Sequence, residues 1–128
     1  MLAIIQWKNL INNCKFDEKV GIRIAKIAGN EEFSTFITVI SPNKWVKPHY
    51  HNHGDEHYHI ISGNGKIILK NIEDHQEKSY LVNGNESFVV PEKTIHQLIN
   101  IGTDDLILMF SCSMSHLSND RFFASEPI

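Results

Sequence analysis

Short apolar runs separated by turn-forming residues fill the chain from residue 20 to residue 112. Within most of these runs apolar and polar side chains alternate, which is the period of a strand that buries one face. Turns containing glycine and asparagine, such as those at 63–65 and 83–85, separate the runs, and no segment between 20 and 112 has helical periodicity. The pattern predicts an all-β sandwich or barrel with strands at 20–27, 34–40, 45–51, 56–62, 66–70, 79–82, 87–90, 95–100 and 106–112.

The two ends of the chain have a different pattern. Trp7, Leu10, Ile11 and Cys14 recur at helical spacing, although residues 1–6 equally fit a strand. In the tail, Ser118 or Asn119 is a candidate cap for a short helix or lid at 116–123. We therefore predict an N-terminal segment that contacts a second copy of the chain, a barrel and a C-terminal tail, at 1–19, 20–114 and 115–128.

Composition narrows the class of protein. A chain of 128 residues, 41% apolar and 21% charged, fits one domain with a single core. The net charge of −3 without a basic stripe argues against nucleic-acid binding. No apolar run approaches the length of a membrane span, and the apolar residues 1–7 lack the basic lead-in of a secretion signal. With Cys14 and Cys112 interpreted as free thiols, we expect a cytoplasmic protein.

One stretch, residues 48–59, concentrates candidate metal ligands. It contains five of the eight histidines and two carboxylates. His49 and His51 are two apart, so on a strand they point to the same side. The turn at 52–55 brings the chain back, and Glu56 then shares a strand face with Tyr58. Two imidazole nitrogens and one carboxylate oxygen suit a divalent transition metal, so this stretch is predicted to form half of a metal site.

The other half is expected from a distant histidine. His96 is the leading candidate because it lies in the β-rich run 95–100. His75 lies in a polar turn and is expected to face solvent, whereas His116 lies in the tail, where the sequence does not fix its position.

Two motifs resemble those of the cupin superfamily. The first, His-x-His followed by Glu and then Gly, matches His49, His51, Glu56 and Gly63, with Asn43 in place of the leading Gly. The second matches Gly84, Pro91, His96 and Asn100, with Lys93 in place of a Gly and one additional residue before the Pro. The resemblance covers roughly residues 20–112, and two motifs in the right order are far more specific than one.

The resemblance implies a double-stranded β-helix, or jelly roll, with a possible short helix at either terminus. It also implies a metal held by His49, His51, Glu56 and His96, with open positions for water and substrate. These four ligands accept iron, manganese, nickel, zinc, cobalt or copper, so the sequence does not identify the ion. Since many cupins are homodimers, a homodimer is expected.

The open positions predict an enzyme acting on a small oxygenated metabolite, of dioxygenase or isomerase/lyase type. Tyr58 and His53 are the candidate catalytic residues, whereas His57 and His59 point away on strand parity. Two alternatives stay open: a non-catalytic small-molecule sensor with the same barrel, and a metal-free sugar epimerase or isomerase that uses a histidine with a carboxylate partner.

Overall fold

A computed structural model describes residues 2–128. The described chain contains one α-helix, eleven strands and one 3-10 helix. In chain order these are α1 (Trp7–Asn13), β1 (Lys15–Asp17), β2 (Ile22–Gly29), β3 (Ser34–Ile40), β4 (His49–Tyr50), β5 (Glu56–Ser62), β6 (Asn64–Asn71), β7 (Glu77–Asn83), β8 (Ser87–Val90), β9 (Thr94–Asn100), β10 (Leu106–Cys112), the 3-10 helix (Met114–Leu117) and β11 (Phe122–Phe123).

The strands form two antiparallel sheets. One sheet has the order β1-β2-β3-β10-β5-β8 and the other β11-β4-β9-β6-β7. The chain crosses between the sheets from β4 to β5, so consecutive parts of the histidine-rich stretch lie in different sheets. This architecture confirms the predicted all-β jelly roll. β1 and β11 extend the sheets beyond the predicted barrel limits of 20–114, and the division into three parts stays a prediction.

Most predicted strands are present, and β3, β5, β8 and β10 have the predicted bounds. The continuous strand predicted at 45–51 is wrong. Only His49–Tyr50 pairs regularly, after an isolated bridge between Trp45 and Ile99. The reason is partly local, because Pro48 has no N–H to donate to a ladder. The bonding also changes direction, since the Lys47 N–H is donated to the Val20 carbonyl.

The N-terminal helix is present, but none of its residues is buried, so it does not add an apolar face to the core. Residues 2–6 have no regular structure, which excludes the alternative of a strand there, and Met1 lies outside the described residues. The predicted subunit contact in this segment stays a prediction. No helix among residues 2–128 is long and apolar enough to cross a membrane.

The predicted short helix of the tail is a 3-10 helix that begins earlier than expected. Its cap is Ser113, whose side chain accepts the Ser115 N–H, and not Ser118 or Asn119. The chain then continues into β11, which pairs with β4. The tail therefore returns to the strand that carries His49.

Strand alternation decides which side chains face the interior. In β5, Glu56, Tyr58 and Ile60 are buried, whereas His57 and His59 are exposed. The interior also contains Leu106 and Leu108, which have no measurable exposure. The barrel thus encloses a mostly apolar core into which a few polar side chains project.

Both residues that replace a glycine of the cupin motifs occupy turns with left-handed backbone. Asn43 has φ 64° and Lys93 has φ 56°, a region that glycine adopts without strain. Asparagine tolerates this region, whereas lysine is less favourable there. Lys93 keeps the turn in place because its N–H is donated to the His51 carbonyl at 2.7 Å.

Candidate metal centre

Three histidine side chains converge in the barrel interior. His49 in β4 is the register partner of His96 in β9, and His51 follows two positions after His49. Their exposed fractions are 5%, 1% and 3%. One nitrogen of each ring lies within 4.8 Å of the others. The structure therefore brings together the three histidines that the sequence had proposed as ligands.

Each of the three rings is oriented by a hydrogen bond from Nδ1 to a backbone carbonyl. The acceptors are Lys47 at 2.7 Å, Asp120 at 2.5 Å and Thr94 at 3.1 Å. Because a carbonyl only accepts, Nδ1 carries a proton, and in the neutral ring Nε2 then has a free lone pair. Within residues 2–128, the Nε2 atoms of His51 and His96 are buried without a hydrogen-bond partner. Buried lone pairs without a donor fit a bound cation.

Glu56 approaches this group from the opposite sheet. Its Oε2 lies 3.1 Å from His51 Nε2 and its Oε1 lies 3.6 Å from His96 Nε2. Neither His51 Nε2 nor His96 Nε2 makes a hydrogen bond at these distances, so in the neutral rings each nitrogen lone pair faces a carboxylate oxygen. Two donors at right angles on an ion, each about 2.1 Å from it, are about 3.0 Å apart. The spacing thus fits the ligand set of a divalent transition metal.

The pKa values agree with such a ligand set. Burial and the neighbouring His96 lower the pKa of His49 well below its usual value, which keeps that ring neutral. Burial alone would raise the pKa of Glu56, but the hydrogen bond from His116 and the neighbouring imidazoles of His51 and His96 lower it well below the usual range. The site therefore contains a neutral imidazole and an ionised carboxylate, which are the protonation states that metal binding requires.

Tyr58 lies on the interior face of β5 beside Glu56, as predicted. Its hydroxyl donates to Glu56 Oε1 at 3.0 Å. Burial, together with the Glu56 charge, raises the pKa of Tyr58 well above its usual value. Tyr58 is therefore a protonated phenol whose hydroxyl lies among the candidate ligands.

The C-terminal segment supplies partners that sequence reasoning did not place. His116, in the 3-10 helix, is buried and hydrogen bonds Glu56 Oε2 through Nδ1 at 2.8 Å. The Asp120 carboxylate accepts the backbone N–H groups of Asn52 and His53 at 2.7 and 3.0 Å. The only signal for His116 in the sequence was its residue type. A polar residue in the tail, such as His116 or Asp120, does not by itself indicate that its side chain is buried.

The remaining histidines lie elsewhere. The side chain of His53 is exposed in a surface pocket, and only its backbone carbonyl reaches the site, where it accepts from His116 Nε2 at 2.7 Å. Its catalytic role stays a prediction that the geometry does not support. His57, His59 and His75 are exposed.

An interior cavity of about 30 Å³ adjoins the candidate ligands. Its walls are mostly apolar, with His49, Glu56, Tyr58 and His116 as polar members. A groove of about 650 Å³ lies outside it, and Ile24, Leu117 and Arg121 line both spaces. The interior cavity is large enough for about two water molecules. The three shared side chains form the boundary between cavity and groove.

Arg121 is the charged member of this boundary. Its side chain is 6% exposed, and one guanidinium nitrogen donates to Asp17 at 3.2 Å. The outer groove also contains Lys15, Lys19 and Lys26. Four cations against two carboxylates, Asp17 and Glu18, make the groove basic in a chain of net charge −3.

The chain matches a known protein family over most of its length. Residues 18–121 match the model of the polysaccharide biosynthesis C-terminal domain. Mannose-1-phosphate guanylyltransferase RfbM of Salmonella typhimurium is 34% identical over 90 residues, which is 70% of this chain and 17% of that protein. The chain thus spans about a sixth of that curated relative.

Solved structures with similar folds include a double-stranded β-helix protein of Klebsiella pneumoniae (TM-score 0.75, 12% identity, 98% of this chain and 100% of that one). The capsular polysaccharide assembling protein CapF of Staphylococcus aureus has a TM-score of 0.74 and 21% identity over 88% of this chain and 32% of that one. Oxalate decarboxylase of Bacillus subtilis, a protein with Mn(II) centres, has a TM-score of 0.66 and 17% identity over 78% of this chain and 27% of that one. These similarities confirm the double-stranded β-helix.

Proposed function

The chain belongs to the polysaccharide biosynthesis C-terminal domain family and is a cupin, and from this premise we propose that it is a metal-dependent isomerase of a small phosphorylated sugar. The metal would be held by His49, His51, Glu56 and His96. The observation that carries the proposal is the buried group of imidazole lone pairs facing an ionised carboxylate. Since Bacillus subtilis oxalate decarboxylase has Mn(II) centres, manganese is the first ion to test.

A bound divalent ion would supply Lewis acidity that stabilises negative charge on a substrate oxygen. Converting an aldose to a ketose moves one proton from C2 to C1. The Glu56 carboxylate would accept the C2 proton and return it to C1. The Tyr58 hydroxyl would donate its proton to the carbonyl oxygen as the C2–H bond breaks, and would regain a proton from the C2 hydroxyl as the new carbonyl forms. Its raised pKa supports a donor rather than a base. The apolar walls of the cavity would exclude bulk water from these groups.

The sugar class is supported by the family and by the names of relatives. The family is one of polysaccharide biosynthesis, and RfbM is named for mannose-1-phosphate. Nucleotidyl transfer is not carried over, because the chain corresponds to only 17% of RfbM. Of the two reaction types that the sequence favoured, isomerisation suits a hydroxy-carbonyl sugar.

The phosphate is supported by the basic groove. We expect the carbonyl end of the substrate to enter the interior cavity, while its anionic group stays in the groove. Arg121 would contact that group at the boundary, since Asp17 takes only one of its N–H groups among the hydrogen bonds of the described residues. Entry would require the side chains at the boundary to move, because the cavity of about 30 Å³ is smaller than a sugar.

The direct test is incubation of the manganese-loaded protein with aldose phosphates in D2O. Proton NMR should show conversion of aldose to ketose with exchange at C2. Arg121→Lys should raise KM for phosphorylated sugars, and Tyr58→Phe should lower kcat with little change in KM. Oxygen consumption without isomerisation would instead support a dioxygenase. Ligand binding without turnover of any phosphorylated sugar would support a sensor.

One observation favours the metal-free epimerase. His116 and Glu56 form a buried histidine–carboxylate pair, as that alternative requires. However, His116 Nε2 is also engaged by the His53 carbonyl, so both ring nitrogens face acceptors and neither is free to act as a base. Turnover after complete removal of metal would support the epimerase and contradict the proposal.

A further inference from the structure

His116 joins the C-terminal segment to the candidate ligands. Its side chain has no measurable exposure and lies between two acceptors, Glu56 Oε2 at 2.8 Å and the His53 carbonyl at 2.7 Å. Its ring also stacks on His51, with centroids 4.0 Å apart and planes inclined by 5°. The His116 side chain thus hydrogen bonds one candidate ligand, Glu56, and stacks on another, His51. It also hydrogen bonds the loop that joins these two residues.

Since a carbonyl and a carboxylate only accept, His116 donates through both nitrogens. It therefore differs from His49, His51 and His96, whose rings donate to a carbonyl through Nδ1 only. His116 also lies in a compact group with His51 and Glu56, but because both of its nitrogens donate, it has no lone pair for a metal. Its geometry is that of a ring that orients a ligand.

The Glu56 carboxylate is held from both sides. Tyr58 donates to Oε1 at 3.0 Å and His116 donates to Oε2 at 2.8 Å. A carboxylate on a flexible side chain must otherwise lose rotational freedom when an ion binds. Because Tyr58 and His116 already orient both Glu56 oxygens, the carboxylate loses this rotational freedom when the protein folds and not when the metal binds.

We propose that His116 is a positioning residue that fixes the Glu56 carboxylate against the three imidazole nitrogens and thereby increases the affinity of the site for a divalent ion. The inference rests on the metal site proposed above. It assigns to the C-terminal segment a part in metal binding, although that segment contributes no ligand. Orienting groups of this kind change metal affinity by about 10- to 100-fold in other sites.

The test uses two variants and a control. His116→Phe keeps an aromatic ring that can stack on His51 but removes both donors. His116→Gln keeps an amide donor within reach of Glu56. His57→Phe is the matched control, because His57 is an exposed neighbour of Glu56 that points away from the site. Mn²⁺ alone is titrated into each metal-free protein, and EPR measures free and bound ion.

The expected dissociation constant for Mn²⁺ rises about 10- to 100-fold in His116→Phe, recovers in part in His116→Gln and is unchanged in His57→Phe. The EPR spectrum of the bound ion should also differ between His116→Phe and the unaltered protein, because the carboxylate is no longer held. A role in packing alone would lower the melting temperature but leave the affinity of the folded protein unchanged.

Binding by His116→Phe within about twofold of the unaltered protein would overturn the inference and leave the metal site intact. Should His116→Phe not fold, His116→Leu, which also lacks both donors, decides in its place, and an affinity for Mn²⁺ equal to that of the unaltered protein would overturn the inference. If the unaltered protein binds no divalent ion, the proposed metal site and this inference both fail.

Discussion

Asp120 offers a test of how firmly the C-terminal segment is built into the fold. Its carboxylate, in a residue that is 8% exposed, accepts the N–H groups of Asn52 and His53. Hydrogen bonds to a charged group each contribute about 1.5–3 kcal/mol. The two bonds together contribute about 3–6 kcal/mol, and because water can reach part of this loop we expect Asp120→Ala to lose the lower part of that range, about 3–4 kcal/mol of unfolding free energy.

Urea unfolding of the metal-free protein measures this loss, and the midpoint should fall without a change in slope. Asp74→Ala is the matched control, since its carboxylate also accepts a backbone N–H, that of Gln76 at 2.9 Å, but in an exposed turn. The control should lose less than about 1 kcal/mol. An Asp120→Ala variant within about 0.5 kcal/mol of the control would refute the reasoning.

Three further predictions concern stability. Asn100→Ala should cost about 3 kcal/mol in urea unfolding, because its buried side chain makes three hydrogen bonds worth about 1 kcal/mol each; a cost below about 1 kcal/mol would contradict this. Lys93→Gly should add up to about 1 kcal/mol by relieving its left-handed backbone, and a lower urea midpoint would contradict it. The metal-free protein should be most stable near pH 6.5. Burial lowers the pKa of His49, so stability is lost as pH falls below 6.5. For His116, burial lowers the pKa but the hydrogen bond to Glu56 raises it overall, so stability is lost as pH rises through that raised value. A flat unfolding free energy between pH 5 and 8 would contradict this balance.

Much of the fold and the centre of the site could be predicted from local pattern. Alternation along β5 placed Glu56 and Tyr58 on one face and His57 on the other, because a strand has a period of two. The same rule placed His49 and His51 together. These predictions needed no knowledge of long-range packing, and the cupin motifs supplied the pairing with the strand of His96.

The partners of those residues could not be predicted in the same way. His116 reaches Glu56 across 60 positions, and Asp120 reaches His51 across 69. Neither has a local signal, since each lies in a short polar segment whose position depends on the packing of the whole tail. Strand 45–51 failed for a related reason, because Pro48 and the change of hydrogen-bond partner interrupt a run whose side chains otherwise alternate.

The central claim is that three imidazoles and one carboxylate bind a divalent ion. The most direct test is elemental analysis of untagged protein that has been loaded with Mn²⁺ and freed of excess ion. The unaltered protein is compared with His51→Ala and His96→Ala. His59→Ala is the control, because it alters an exposed side chain. We expect one ion per chain in the unaltered protein and in His59→Ala, and almost none in the other two variants. Equal metal content in all four proteins, or none in the unaltered one, would contradict it.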